Sequence, residues 1–421
     1  MISTRFASTA IALCLCATPA LASDRAGVLK TYADIASATY TDSLTTAQQL
    51  RSAVLELIKT PTEESLFAAR QAWIAARAPY QQSEVFRFGN TIVDDWEGKV
   101  NAWPLDEGLI DYVDASYGGA TDENQLAALN VVANPSFSLS GQVIDGSAIT
   151  PSFLGEVLHE ADGVESNVAT GYHAIEFLLW GQDLNGHAPG AGARPASDFA
   201  ASEACTNGNC DRRAAYLVAA TDLLISDLEY MVAAWAQEGA ARAEVTADEG
   251  AGLIAMLTGM GSLSYGEQAG ERMRLGLMLN DPEEEHDCFS DNTHNSHYYD
   301  GLGIQNVYLG KYTRVDGSLV QGPSLADLVS EASPALDAEM QGKLAHTMQA
   351  LGAIKAAAEG GFTYDQMLER GNAQGEALVM GGVNALIDQT RTIERILPAL
   401  ALDEIAFEGS DSLDNPDAVF E

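Results

Sequence analysis

DRAGVLKTYADIASATYTDSLTTAQQLRSAVLELIK, residues 24–59, decides the fold. Leu29, Tyr32, Ile35, Ala36 and Tyr40 recur at intervals of three and four, which places them on one face of a long helix. Pro61 ends that helix. Thr62 can cap a second one, running through Phe67, Trp73 and Ile74 to Phe86 with a kink or break at Pro79. From Gly89 to about Ser152 the chain carries Gly, Asp and Pro and reads as short elements only, around 105–113 and 123–131. A helix returns over Gly171–Trp180, followed by a Gly/Pro/Ala/Ser loop at 185–209 and long helices at 211–237 and 248–279. Residues 280–303 read as a polar loop dense in His, Asp and Asn, and YTRVDGSLVQ (312–321) as a hairpin turning at Asp316-Gly317. Ser324, and Ser333 before Pro334, cap the start of the final helices, near 325–332, 335–358 and 373–401. The expectation is an all-α chain of two packed four-helix-bundle-like halves, with long irregular loops and one small hairpin. The halves would be residues 23–210 and 211–402, meeting near 200–240. Residues 403–421, with seven acids and no base, read as a solvated acidic tail.

Composition excludes several function classes. The 421 residues carry 60 Asp+Glu against 22 Lys+Arg, a formal charge of −38, yet 47% are hydrophobic. That is too apolar for a disordered polyanion. The basic stripe that phosphate neutralisation needs is missing, so no nucleic-acid partner is expected. An anionic lipid surface would also repel the chain, whereas cations and basic partners would be attracted.

The N-terminus has the form of an export signal. Arg5 supplies a positive n-region, Ala7–Ala17 a short apolar run, and Ala20-Leu21-Ala22 a cleavage site before Ser23. Removing residues 1–22 takes away one Arg, so −38 becomes −39 on the mature chain. No later stretch reaches the ~18 apolar residues of a membrane span. The periplasm is the expected location, and association with the outer membrane is compatible with it. Cys205, Cys210 and Cys288 remain after cleavage. In an oxidising compartment the first two, flanking TNGN, are the expected disulfide, while Cys288 is either a buried thiol or a reactive one.

Candidate chemistry starts at GYHAIE (171–176), where His173 and Glu176 sit three residues apart on a helix and can reach one metal ion. This is neither H-E-x-x-H nor, because Phe177 follows, H-x-x-E-H. A histidine hydrogen-bonded in a bundle core has the same spacing. Tyr80 and Glu84 share a face at i, i+4, and WPLDEGLID (103–111) sets Asp106 and Asp111 among apolar residues. Asp106 reads equally as a helix cap, and Asp111 as a surface acid. A second group, His286, Cys288, Asp291, His294 and His297, falls within twelve residues and is either a second metal site or site-lining element, or a structural loop of turn chemistry. Glu267 and Glu271, beside Arg272, either face the first site or form a salt-bridged helix pair.

These residues also carry a resemblance. GYHAIEFLLWGQD (171–183), ARQAWIAARAPYQQSEVFRFGN (69–90) and DDWEGKVNAWPLDEGLIDYV (94–113) are similar to the imelysin family, the insulin-cleaving-metalloprotease-like proteins. YGEQAGERM (265–273) and CFSDNTHNSHYYDGLGIQNVYLG (288–310) resemble its iron-regulated protein A branch. The resemblance implies two helical halves with the site between them, export, and a link to iron acquisition with periplasmic or membrane iron-transport components as partners. The same domain occurs in periplasmic ferrous-uptake proteins, whose pattern Tyr80, Glu84, Asp106, Asp111, His173 and Glu176 match. Glu84, Asp106, His173 and Glu176 are then the implied metal ligands.

Three readings follow. One is a metal-binding protein of iron uptake, its mixed carboxylate and imidazole donors suiting iron first and zinc second. Another is a zinc metallopeptidase with an acid such as Glu84 as base. The last is an interaction protein in which the His/Glu pair is structural and the acidic interface docks a peptide, a haem-bearing partner or a redox protein.

Overall fold

The computed structural model describes residues 24–420; the proposed export signal at 1–22 lies outside them. Nine principal helices organise this span: α1 (Arg25–Lys59), α2 (Glu63–Gln81), α3 (Thr91–Asn101), α4 (Gly171–Trp180), α5 (Cys210–Ala234), α6, α7 (Thr293–Leu309), α8 (Pro334–Glu359) and α9 (Ala373–Ala399). Helix α6 is continuous but composite, with α-helical Glu249–Ser262, π-helical Leu263–Arg274 and α-helical Leu275–Leu279. The chain is predominantly all-α, with two small antiparallel hairpins as its strands among the described residues.

The caps explain most boundaries. Asp24 accepts from the Gly27 amide at 2.8 Å to start α1, and Thr62 forms a capping box with Ser65 to start α2. Helix α2 passes through Pro79 and stops at Gln81, so it does not reach Phe86. There the Tyr80 carbonyl accepts from both the amide and the hydroxyl of Ser83, and Glu84–Phe86 tighten into a 3₁₀ turn.

Two further helices correct the sequence reading. TIVDDWEGKVN forms α3, capped by Asn90 and burying Val93, Trp96 and Val100. Its Asp and Gly residues suggested a loop, but the three- and four-residue spacing of those apolar groups prevails. The second half of the supposed 280–303 loop is the start of α7. A hairpin at Ser136–Leu139 and Gln142–Asp145 was also not anticipated. The hairpin at Lys311–Thr313 and Leu319–Gln321 was, with Tyr312 opposite Val320.

Helices α1, α2, α4 and α5 pack on one another, and α6, α7, α8 and α9 form a second group. Helix α5 therefore belongs with the first group, although it begins at the expected boundary. Contacts of α7 with α2 and of α6 with α1 join the groups. One apolar core runs through both, from Val28 to Leu400. A smaller one around Met273, Leu351, Ile354 and Val383 lies within the second group.

The acidic tail is docked and not simply solvated. Its backbone crosses α6 where side chains are missing: a Cβ on Gly266 would lie 2.5 Å from the Glu408 carbonyl oxygen, and one on Gly270 2.3 Å from Ser410 Cβ. Ser412 donates to the Gly270 carbonyl at 3.0 Å and Tyr265 to Asp414 at 2.6 Å. Cys205 and Cys210 are joined as a disulfide across a Cα separation of 5.9 Å, and Cys288 is a buried free thiol.

Candidate metal centre

Every residue of α4 is buried, so its polar side chains need partners inside the protein. Gly171 makes the approach possible. Its φ is +77°, and a Cβ there would lie 2.3 Å from the Val100 carbonyl oxygen. Helix α4 thus starts directly against the end of α3, with Thr170 donating to the Lys99 carbonyl at 2.8 Å.

His173 and Glu176 then meet on the same face. Nδ1 of His173 is 3.1 Å from Glu176 Oε2, while Nε2 has no partner and the ring is fully buried. Glu176 is fixed from its other oxygen, which accepts from the Ser290 amide at 3.0 Å and hydroxyl at 2.7 Å. Asp287 Oδ1 approaches Nδ1 of His173 to 4.0 Å, and the His286 ring stacks edge-on against that of His173 at 4.8 Å. One donor atom each from His173, His286 and Asp287 lies within 4.8 Å of the other two. Trp103 closes another side, its ring 5.1 Å from that of His173.

Asp287 is itself held in place. Arg77 donates to it at 2.7 Å, Asn292 at 2.7 Å and Ser296 at 2.5 Å. The Arg77 guanidinium lies over the rings of Trp73, Tyr80 and Tyr172 and donates to Asn101 at 2.7 Å. Burial pulls the His173 pKa down to about 3, and the Arg77 cation adds to the effect. Burial and the neighbouring cations of Arg272 and Arg77, with His173, likewise lower His286. Both imidazoles are therefore neutral and keep a lone pair. Burial pushes Glu176 up, with the Asp287 charge reinforcing it. Burial also opposes ionisation of Asp287, but Arg77 and the two hydrogen bonds outweigh it and hold that carboxyl below its ordinary range.

The other predicted ligands stand elsewhere. Glu84 is buried and accepts from Arg272 at 2.7 Å. Asp106 accepts from Tyr117, Asn124 and Ser166 and is not one of the grouped donors. Asp111 is neither a surface acid nor a ligand in this cluster: it is buried between Arg194 and Arg213. Tyr80 is buried with an unpartnered hydroxyl. His297 is buried with both ring nitrogens free, its ring 5.2 Å from Tyr364, whereas His294 is partly buried beside Asn295. Asp291 belongs to a separate carboxylate group. Asp287 went unremarked in the sequence because an acid in a polar loop carries no sign of burial.

A cleft of about 530 Å³ opens beside His286, Asn101 and Trp103. Glu97, Glu160, Glu165, Glu267, Glu271 and Glu284 line it, against Arg87 and Arg272. Glu267 is 2.7 Å from Arg272 and 3.6 Å from Arg87, so it both lines the cleft and forms a salt bridge. Burial raises Glu97 to about 7, with Glu84 and Glu267 adding to it against Arg87. The π-helical stretch of α6 supplies Glu267, Glu271 and Arg272, in keeping with the frequent placement of such segments at functional sites.

Comparison with known proteins gives three results. The family model described as Imelysin matches residues 36–393. A stretch of 60 residues is 40% identical to Iron-regulated protein A of Synechococcus elongatus, covering 14% of this chain and only 17% of that protein's length. A crystal structure of a candidate iron-regulated protein A precursor from Parabacteroides distasonis superposes with a TM-score of 0.63. That comparison has 19% identity and covers 90% of this chain and 97% of the other, so it establishes a shared fold.

Proposed function

The chain belongs to the imelysin family, and on that premise we propose that it is an exported protein of iron acquisition that captures a metal ion at His173, His286 and Asp287. The observation that carries this reading is the free, fully buried Nε2 of His173, whose other ring nitrogen is held by Glu176. A carboxylate behind an imidazole fixes the tautomer and raises the basicity of the free nitrogen, as in many metal sites. Two neutral imidazoles and an ionised carboxylate form a donor set that suits iron(II) or zinc. Glu176 is thus assigned to orientation of His173, and the acid-lined cleft to drawing cations inward. The name Iron-regulated protein A, carried by a relative, supports the link to iron. The Cys205–Cys210 disulfide and the signal-like N-terminus support export to an oxidising compartment. Among the described residues no helix is long and apolar enough to cross a membrane.

A second reading has one observation in its favour. The Asp287–Arg77 ion pair at 2.7 Å already neutralises Asp287, as it would in a purely structural network whose acidic cleft docks a basic peptide. Equilibrium dialysis of the chelator-stripped mature chain against iron(II) or zinc separates the two. The metal reading expects one equivalent bound at micromolar free metal and its loss in a His173→Ala, His286→Ala double variant. Equal binding by both proteins would refute it. Incubating the metal-loaded chain with denatured insulin B chain tests the peptidase alternative, which requires cleavage fragments that the same variant fails to make.

A further inference from the structure

On the far side of the Glu283–Asp291 segment lies a second set of donors made only of oxygen. Asp183 follows α4, Asp291 precedes α7, and Asp365 sits on the short helix Tyr364–Leu368. One carboxylate oxygen from each lies within 4.8 Å of the other two. Three acids together do not make a site, but a fourth group points to an occupant. Glu285 is 1% exposed and faces Asp365, Asp291 and the Thr293 side chain, yet neither of its oxygens makes a hydrogen bond of ordinary geometry. Asp365 Oδ2 and Asp291 Oδ1 are buried and unpartnered as well. Asp183 accepts from the amide and the side chain of Asn185 at 2.8 and 2.7 Å, Asp291 accepts from the Gly190 amide at 3.2 Å, and the imidazole of His187 lies near Asp365 while donating to the Asn280 carbonyl at 3.1 Å. Beside the group is a cavity of about 10 Å³, lined by Asp183, Asp365, Glu283 and Cys288. That is room for one water-sized occupant.

We propose that Asp183, Asp291, Asp365 and Glu285 form a second cation site, selective for a hard divalent ion of the calcium type. Carboxylate oxygens around calcium lie at about 2.3–2.6 Å from the ion, so oxygens sharing one ion are at most roughly 5 Å apart, a condition that the three oxygens here meet. Zinc and copper(I) prefer nitrogen or sulfur, and the thiol that lines the cavity, Cys288, is kept protonated by burial. Without an ion, burial and the charges of Asp365 and Asp183 push Asp291 up to about 7, a penalty that a divalent cation removes. The site ties the loop after α4 to the segment before α7 and to the helix at Tyr364. It would therefore brace the stretch that also carries His286 and Asp287. This second site shares no ligand with the first and does not depend on metal there.

The test uses the mature chain stripped with EDTA and dialysed against calcium alone in 100 mM salt. One equivalent should bind with Kd of about 10⁻⁴–10⁻³ M, the range of extracellular calcium modules, and 10 mM calcium should raise Tm by about 1–3 °C. Asp291→Asn with Asp365→Asn should abolish both effects, and Asp183→Asn, on the more exposed edge, should weaken binding at least tenfold. His173→Ala should leave the calcium equivalent intact. No calcium bound by the wild type, unchanged binding in the Asp183→Asn variant, or loss of the equivalent in His173→Ala would each overturn the proposal. The wild-type and Asp183→Asn results decide the matter even if the double variant fails to fold.

Discussion

Glu176 holds His173 through Nδ1 at 3.1 Å and is itself fixed by the amide and hydroxyl of Ser290. The carboxylate that shares a helix face with the imidazole therefore stands behind it, and the loop before α7 completes the arrangement.

That relationship predicts the effect of Glu176→Gln. The amide preserves shape, but it no longer offers one oxygen to Ser290 and a second to Nδ1 of His173. Affinity for zinc or iron(II) should fall by about 10–100-fold, measured by chelator competition, with the far-ultraviolet circular dichroism unchanged. Undiminished affinity would remove Glu176 from the orienting role.

Arg77 offers a sharper discrimination. Arg77→Met leaves the buried Asp287 carboxylate without its cation, which should cost about 3–5 kcal/mol in the metal-free protein. If a metal binds beside Asp287, saturating zinc should restore a larger share of that stability in the variant than it adds to the wild type. Denaturant titrations with and without zinc measure this; equal increments in both proteins would favour the purely structural network.

His297 carries a pH prediction. It is buried without hydrogen bonds, and burial pulls its pKa down to about 3. The unfolded chain binds the proton near pH 6.5 and the folded one does not, so stability falls as pH drops through that window. Each unit between about 6 and 4 should cost the wild type up to about 1.4 kcal/mol relative to His297→Phe, since the difference cancels other titrating groups. Parallel pH profiles for the two proteins would show that the imidazole is not held neutral.

The tail supplies the last prediction. Ending the chain at Leu402 removes the residues lying over Gly266 and Gly270 and the hydroxyl bonded to the Gly270 carbonyl. Faster amide exchange over 263–274 and a lower Tm are expected. A freely solvated tail would change neither.

Helix content was legible because it is local. The spacing of apolar residues placed α1, and Thr62 and Ser333 marked starts that the structure shares. The Gly and Asp residues of α3 and the polar opening of α7 hide helices for the same reason: their composition is that of a loop, whereas spacing and tertiary burial prevail. The metal candidates divide along the same line. His173 and Glu176 are neighbours on one helix turn, so sequence alone could pair them.

What sequence could not decide was which acids face which cations. Glu84, Asp106, Asp111 and Asp287 look alike along the chain. Packing assigns Glu84 to Arg272, Asp111 to Arg194 and Arg213, Asp106 to neutral donors, and Asp287 to the side of His173. Sequence by itself determined an acidic, helical chain with one His/Glu pair on a shared helix face, because periodicity and short spacings are fixed by local geometry. Tertiary structure alone decided the rest of the site, because a carboxylate's role is set by the dielectric and the charges around it, and those come from residues distant in the chain.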